Sequence, residues 1–177
     1  MLFASGFATL NFHFENVNSI LDYGCGLADS IPVLKSKYPE AQLFFYDFSK
    51  KAMEIATKNY GQYAQPFHPK SVQRFSVVYC SNVIEHITDV QIDTFLKELF
   101  YLSEKYVVIQ APYNELDDNN SELTEKNSKG EHVRTLNESM TIRFGNINSD
   151  FQWQVFKKSI PYAWDNGKQI FYIGIKK

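Results

Sequence analysis

From residue 19 to residue 112, short runs of consecutive apolar residues alternate with stretches whose apolar positions recur at helical spacing. Ser19–Tyr23, Gln42–Asp47, Phe75–Cys80 and Tyr106–Gln110 read as strands, with a shorter one near Gln62 to Phe67. Between them the spacing predicts a helix over 29–38, with Asp29 or Ser30 as N-cap and Pro32 in the first turn, where a missing N–H does no harm. A second helix opens at Ser49 and carries Ala52, Met53, Ala56 and Tyr60 on one stripe. A third runs over 89–103, with Ile92, Phe95, Leu96, Leu99 and Phe100 on one face. Strands that are apolar almost without interruption are buried on both sides, so the pattern predicts a parallel sheet covered by helices.

Beyond residue 112 the pattern changes. Residues 113–131 are rich in Asn, Asp, Glu and Ser and read as a long exposed loop. A short helix is expected at 137–144, followed by strands at 151–160 and 168–176. Asn166-Gly167 between those strands is a turn signal, which predicts an antiparallel hairpin. The expected architecture is a three-layer α/β domain with a mostly parallel seven-stranded sheet and a C-terminal antiparallel hairpin. Residues 1–18 would form a short cap, 19–112 the ligand-binding core, and 113–177 the remaining loop and terminal strands.

Composition narrows the functional classes. Eighteen Lys+Arg against 20 Asp+Glu argue against a protein that grips nucleic acid through phosphates. No run approaches the ~18 apolar residues of a membrane span, and no basic segment precedes the apolar N-terminus, so neither a membrane span nor a secretory leader is expected. Cys25 and Cys80 have no metal-ligand spacing and lie in apolar stretches. They are expected to be reduced thiols of a cytoplasmic protein. Asp117–Glu122 is acidic but lacks the Gly and terminal Glu of a calcium loop, so a solvated segment is expected and no metal site. Aromatic residues make up 16% of the chain, more than a core of this size usually needs, which leaves some free for a pocket.

The chemistry-bearing element is Asp22-Tyr23-Gly24-Cys25-Gly26, where the first strand turns into a helix. Glycines there let the backbone approach a ligand and present amides near a helix start. The next strand ends in Asp47, 21 residues after Gly26, where doubly wound folds place an acid for ribose hydroxyls. Where a dinucleotide fold has its third glycine, this chain has Asp29, which would repel a pyrophosphate. A nucleoside ligand without phosphates suits the turn better.

Ile20-Leu-Asp-Tyr-Gly-Cys-Gly26, Asp47 and Val78-Tyr-Cys-Ser-Asn-Val-Ile-Glu-His-Ile87 together resemble the class I S-adenosylmethionine-dependent methyltransferases, over about residues 19–112. That family has a Rossmann-like fold, and the expected terminal strand pair is similar to its last strands. The resemblance implies S-adenosyl-L-methionine as cofactor. Asp22, Gly24 and Gly26, with Tyr23 among them, would line the methionine portion, Asp47 would hold the ribose and Phe48 would lie against the adenine. Ser81 and Asn82 would border the sulfonium. The family often reads the adenine amino group with an acid after the third strand; here Gln65 or a backbone group must substitute. Only 18 residues precede the first strand, which leaves one side of the pocket thinly covered unless a homodimer or partner subunit completes it.

Acceptor-side candidates are His86, just beyond the fourth strand, and His132, since an imidazole with a pKa near ~6.5 can remove a proton from a hydroxyl. Arg134 can clamp an acidic acceptor, although a surface ion pair is the plainer reading. Tyr113 and Trp164, with Trp153 and Tyr162, can line a small-molecule pocket or belong to the core. The expectation is O-methylation of a small molecule. Two other readings stay open: a non-catalytic methyltransferase-like binding protein, and an NAD-linked oxidoreductase using the same strand–glycine–acid arrangement.

Overall fold

The computed structural model describes residues 10, 12–69, 71–113, 132–134, 136–159 and 168–177. Seven strands, β1 (Ser19–Tyr23), β2 (Gln42–Tyr46), β3 (Gln65–Pro66), β4 (Phe75–Ser81), β5 (Ser103–Pro112), β6 (Phe151–Ser159) and β7 (Lys168–Lys176), form one sheet in the order β3-β2-β1-β4-β5-β7-β6. The pairs from β3 to β5 are parallel, and β7 runs antiparallel between β5 and β6. Among the described residues, four α-helices accompany them: α1 (Ile31–Lys37), α2 (Lys50–Tyr60), α3 (Ile92–Leu102) and α4 (Met140–Ile147). The expected mostly parallel sheet with its antiparallel hairpin is the sheet observed.

Strand periodicity explains why the apolar runs are continuous. Ile20, Val77 and Val108 pack on one face with Ile31, Leu34 and Ala56 of α1 and α2. Their immediate neighbours Leu21, Val78 and Val107 pack on the other with Ile92, Leu96 and Leu99 of α3. Successive side chains point to opposite faces, and both faces are covered, so neither can be polar. All five apolar residues expected on one face of the third helix are buried.

The strand order reverses direction at β1, whose neighbours are β2 on one side and β4 on the other. In open sheets of this kind the crevice outside the carboxyl ends at such a point is where ligands bind. The described part of the N-terminal segment does not cover that edge. Phe14 stacks on Tyr106 with ring centroids 5.0 Å apart, and Asn18 N donates to Ser76 Oγ, both toward the amino ends of the parallel strands.

Boundaries shift for local reasons. A 3-10 turn at Ile84–His86 follows β4, and Gln91 N and Ile92 N both donate to the Thr88 carbonyl, so α3 starts at Ile92 rather than at 89. Asn137 Oδ1 accepts from Ser139 N and Oγ, a local turn that delays α4 to Met140. β5 is longer than its apolar run because Ser103 pairs with Phe75 of β4 at one end and β7 pairs with it through Pro112 at the other. Much of the aromatic content is core: Phe100, Phe144 and Trp153 stack on one another at 4.7–6.2 Å. Gly174 makes room for that indole, since a Cβ there would lie 2.8 Å from the Trp153 ring.

Candidate functional site

β1 and β2 end side by side, with Tyr23 paired to Tyr46. Gly24 N and Cys25 N both donate to the Tyr46 carbonyl, at 2.8 and 3.0 Å, which folds the chain sharply back over the strand end. Gly24 has φ of +81°, and the Val83 side chain occupies the place of a Cβ there. Gly26, at φ +54°, has open space on the corresponding side. Gly24 is thus required by packing as well as by backbone conformation, and Gly26 by conformation and by a bare approach to the cavity.

Asp47, just past β2, is held by two amides. Its Oδ2 accepts from Gly26 N and its Oδ1 from Ser49 N, both at 2.8 Å. A carboxylate oxygen can accept more than one hydrogen bond, so this fixes the group's direction without using it up. Phe48 beside it is 58% exposed, a bare ring next to an oriented carboxylate.

A cavity of about 280 Å³ opens at these strand ends, lined in part by Asp22, Gly26, Asp29, Ser30, Ser81 and Asn82. Asp22 is 3% exposed and accepts a hydrogen bond from Ser30 Oγ. Burial pushes its carboxyl up to about 7; the Ser30 hydroxyl opposes that shift and the nearby Asp47 adds to it. Burial likewise raises the Cys25 thiol, with the two aspartates adding to the effect, so Cys25 is not an activated nucleophile. Ser81 and Asn82 close the wall from β4. Asn82 has φ of +53°, donates through its backbone N to the Gln110 carbonyl, and keeps its Oδ1 buried with no hydrogen-bond partner.

Of the expected cofactor residues, Asp22, Gly24, Gly26, Ser81 and Asn82 line the cavity, Asp47 adjoins it through its bond with Gly26 N, with Phe48 next in the chain, and two are corrected. Tyr23 does not line the cavity: it is fully buried on the α3 side, its ring 5.1 Å from Tyr46 and 5.9 Å from Phe95. Adjacent strand residues face opposite ways, so Asp22 pointing to the cavity side turns Tyr23 from it. Gln65 lies on edge strand β3, exposed and in register with Phe44, and does not line the cavity.

His86 is exposed on the 3-10 turn that continues from the Ser81-Asn82 wall, and half-buried His132 lies against it with ring centroids 4.8 Å apart. The two histidines thus meet. Arg134 is corrected as an acceptor clamp. Its side chain is 9% exposed, its guanidinium donates to the Ile87 carbonyl at 2.6 Å, and it pairs with Asp89 at 3.0 Å. It fastens 132–134 to the turn. Tyr113 is half-buried, with its hydroxyl 3.4 Å from Glu138 and Lys157 over its ring. Trp164, Tyr162 and the acidic run at 117–122 lie outside the described residues.

Three contributors were not singled out from the sequence as site residues. Ser30 was expected as an N-cap, but its hydroxyl goes to Asp22 instead of capping α1. Tyr79 lines the cavity and donates to Gln110 Oε1 at 2.8 Å; its place two residues before Ser81, on the same strand face, was the available signal. Glu85, between Ile84 and His86, is 1% exposed; an acid next to a histidine in an otherwise apolar stretch was the available signal.

A family described as a methyltransferase domain matches residues 3–148. No curated protein matches the sequence. Similar solved structures include the methyltransferase domain of bacterial CtHen1, with TM-score 0.68 and 19% identity over 90% of this chain and 91% of that one. Magnesium protoporphyrin IX methyltransferase (ChlM) from Synechocystis PCC 6803, solved with bound SAM, gives 0.66 and 11% over 98% and 74%. Phosphoethanolamine N-methyltransferase 2 of Haemonchus contortus, solved with phosphomonomethylethanolamine and S-adenosylhomocysteine, gives 0.71 and 13% over 98% and 52%. At these identities the likeness is one of fold.

Proposed function

Because the chain belongs to the methyltransferase-domain family, we propose that it transfers the methyl group of S-adenosylmethionine to an oxygen of a small-molecule acceptor. The observation that carries this reading is the Asp47–Phe48 pair. A carboxylate aimed by two backbone amides stands beside an exposed aromatic ring. That is an acceptor pair for ribose hydroxyls next to an apolar face for adenine.

The remaining residues fit the same ligand. Gly26 offers no side chain where the nucleoside must pass, and Asp22 with the unpartnered Asn82 Oδ1 would satisfy the ammonium of the methionine portion. Asp29 on the cavity wall disfavours a pyrophosphate and hence NAD. When bound, the sulfonium supplies an already activated methyl group. What this chain must add is alignment of the acceptor and removal of its proton. His86 lies on the turn leading from the Ser81-Asn82 wall, the ring of His132 lies against it, and one of them takes that proton. A small acceptor met in the cytoplasm, where Cys25 and Cys80 stay reduced, completes this reading.

Calorimetric titration with S-adenosylmethionine, S-adenosylhomocysteine and NAD tests this. Micromolar binding of the first two, and none of NAD, is expected. Folded protein that binds neither sulfur ligand overturns the proposal.

A further inference from the structure

We propose that Glu85, His86 and His132 form a binding site for a divalent first-row transition-metal ion. Each side chain offers one donor atom, and the three atoms lie within 4.8 Å of one another. The segments carrying them are fastened together. Val133 N donates to the Glu85 carbonyl at 2.8 Å, and the Arg134 guanidinium donates to the Ile87 carbonyl at 2.6 Å. These two bonds flank His86 and directly follow His132, so the edge-to-face contact of the rings, at 4.8 Å and 71°, is held by backbone and guanidinium rather than by the imidazoles alone.

The donor set points to the ion. Two imidazoles and one carboxylate without a thiolate suit zinc, cobalt, iron, nickel or manganese better than calcium or magnesium, which prefer all-oxygen shells. Donors at about 2.0–2.1 Å from a tetrahedral ion stand about 3.3 Å apart, so modest rotation of the exposed His86 ring closes the set. Glu85 is buried, His132 half-buried and His86 exposed, which leaves an ion covered from one side and open to solvent on the other. Three protein ligands with open positions is the arrangement of a catalytic rather than a structural metal site.

This inference deepens the proposed function and rests on it for its chemical role. A cation there would bind an acceptor oxygen directly and lower its pKa, taking over proton activation from a histidine base. The binding site itself does not depend on that role. The two histidines lie far apart in sequence, on either side of α3 and β5, so no ligand spacing announces them.

The test is titration of the metal-free protein with Co²⁺ and Zn²⁺, read by calorimetry and by the visible spectrum of bound cobalt. One equivalent is expected to bind, with His86→Ala and His132→Ala each weakening it at least tenfold and the double variant abolishing it. His68→Ala is expected to bind as the parent does. Circular dichroism verifies that each variant is folded. Failure of the folded parent to bind an equivalent, or binding that survives the double histidine variant, overturns the site. Titration of the same samples with S-adenosylhomocysteine separates the two proposals. Homocysteine-ligand binding without metal uptake removes the metal and leaves a histidine base, whereas metal uptake without it removes the cofactor reading alone.

Discussion

Between Asp22 and Ser49 the cavity is shaped by one continuous β1-α1-β2 segment, in which Gly24 and Cys25 fold onto Tyr46, Gly26 onto Asp47, and Ser30 back onto Asp22. The histidine corner is assembled differently, from a 3-10 turn after β4 and a short stretch at 132–134 that follows α3, β5 and further chain. The first wall closes small loops and is held mostly by backbone bonds. The second closes a much longer loop and relies on Val133 N and the Arg134 guanidinium. A cofactor site can thus be rigid by local construction while the acceptor side is free to vary in what it recognises.

The strongest way to break the first wall is Gly24→Ala. It forces a β-carbon into a left-handed backbone and against Val83, a strain term plus an overpacking term of together about 2–5 kcal/mol. A fall in melting temperature of at least ~4 °C by scanning calorimetry is expected. Gly26→Ala, with the same hand of backbone but open space, is expected to cost about 1 kcal/mol. Equal losses at the two glycines would remove the Val83 contact from the account.

Asp22 sharpens the comparison through pH. Its folded-state carboxyl lies at about 7, above the unfolded value of 3.8. The folded chain therefore holds the extra proton. The stabilisation is complete below pH 3.8 and is lost as pH rises toward 7, by an order of about 1–4 kcal/mol. Asp22→Asn is accordingly expected to raise the melting temperature at pH 8 and to leave it nearly unchanged at pH 4. The same substitution is expected to weaken S-adenosylhomocysteine binding, and the parent's affinity is expected to rise between pH 5.5 and 8 as the carboxylate forms. A melting temperature that drops at pH 8 would show that the ionised group is stabilised by something other than Ser30.

Asp47→Ala comes next. Loss of the ribose bonds is expected to weaken cofactor binding at least about tenfold, ~1.4 kcal/mol. Calorimetric titration measures it, with Asp47→Asn as the variant that keeps an acceptor for the Gly26 and Ser49 amides. Unchanged affinity in both would remove the ribose from Asp47.

How much of this was legible in the sequence follows the same division. The strands, the glycine turn and Asp47 were readable because their signals lie within one strand–helix–strand unit, where periodicity and spacing dictate placement. Tyr23 was misplaced although strand parity alone separates it from Asp22. Ser30 has the sequence position of a cap, and only the packing of α1 on the sheet directs its hydroxyl to Asp22. The role of Arg134 was not legible because its partners, Ile87 and Asp89, meet it only when two distant segments dock. For the same reason the sequence offered His86 and His132 as separate candidates, and the fold makes them a pair.

That pairing gives the prediction with the smallest expected effect on cofactor affinity and the sharpest use. If the two walls are independently built, His86→Ala and His132→Ala each leave S-adenosylhomocysteine affinity within about twofold, because neither ring lines the cavity formed by the β1 and β2 ends. Their effect falls on methyl transfer, where losing a proton acceptor or its metal equivalent costs about 10²–10⁴-fold. Arg134→Met serves as the intermediate case. It removes the fastening to Ile87 and Asp89 without touching either imidazole, so it is expected to loosen the pair and lower turnover less than either histidine variant does. Cofactor affinity that falls with His86 or His132 would mean that the 3-10 turn transmits strain to Asn82 through Val83, which immediately precedes that turn and packs against Gly24. The two walls would then be a single cooperative unit, and the Gly24→Ala variant would be expected to disturb the histidine pair as strongly as it disturbs the cofactor cavity.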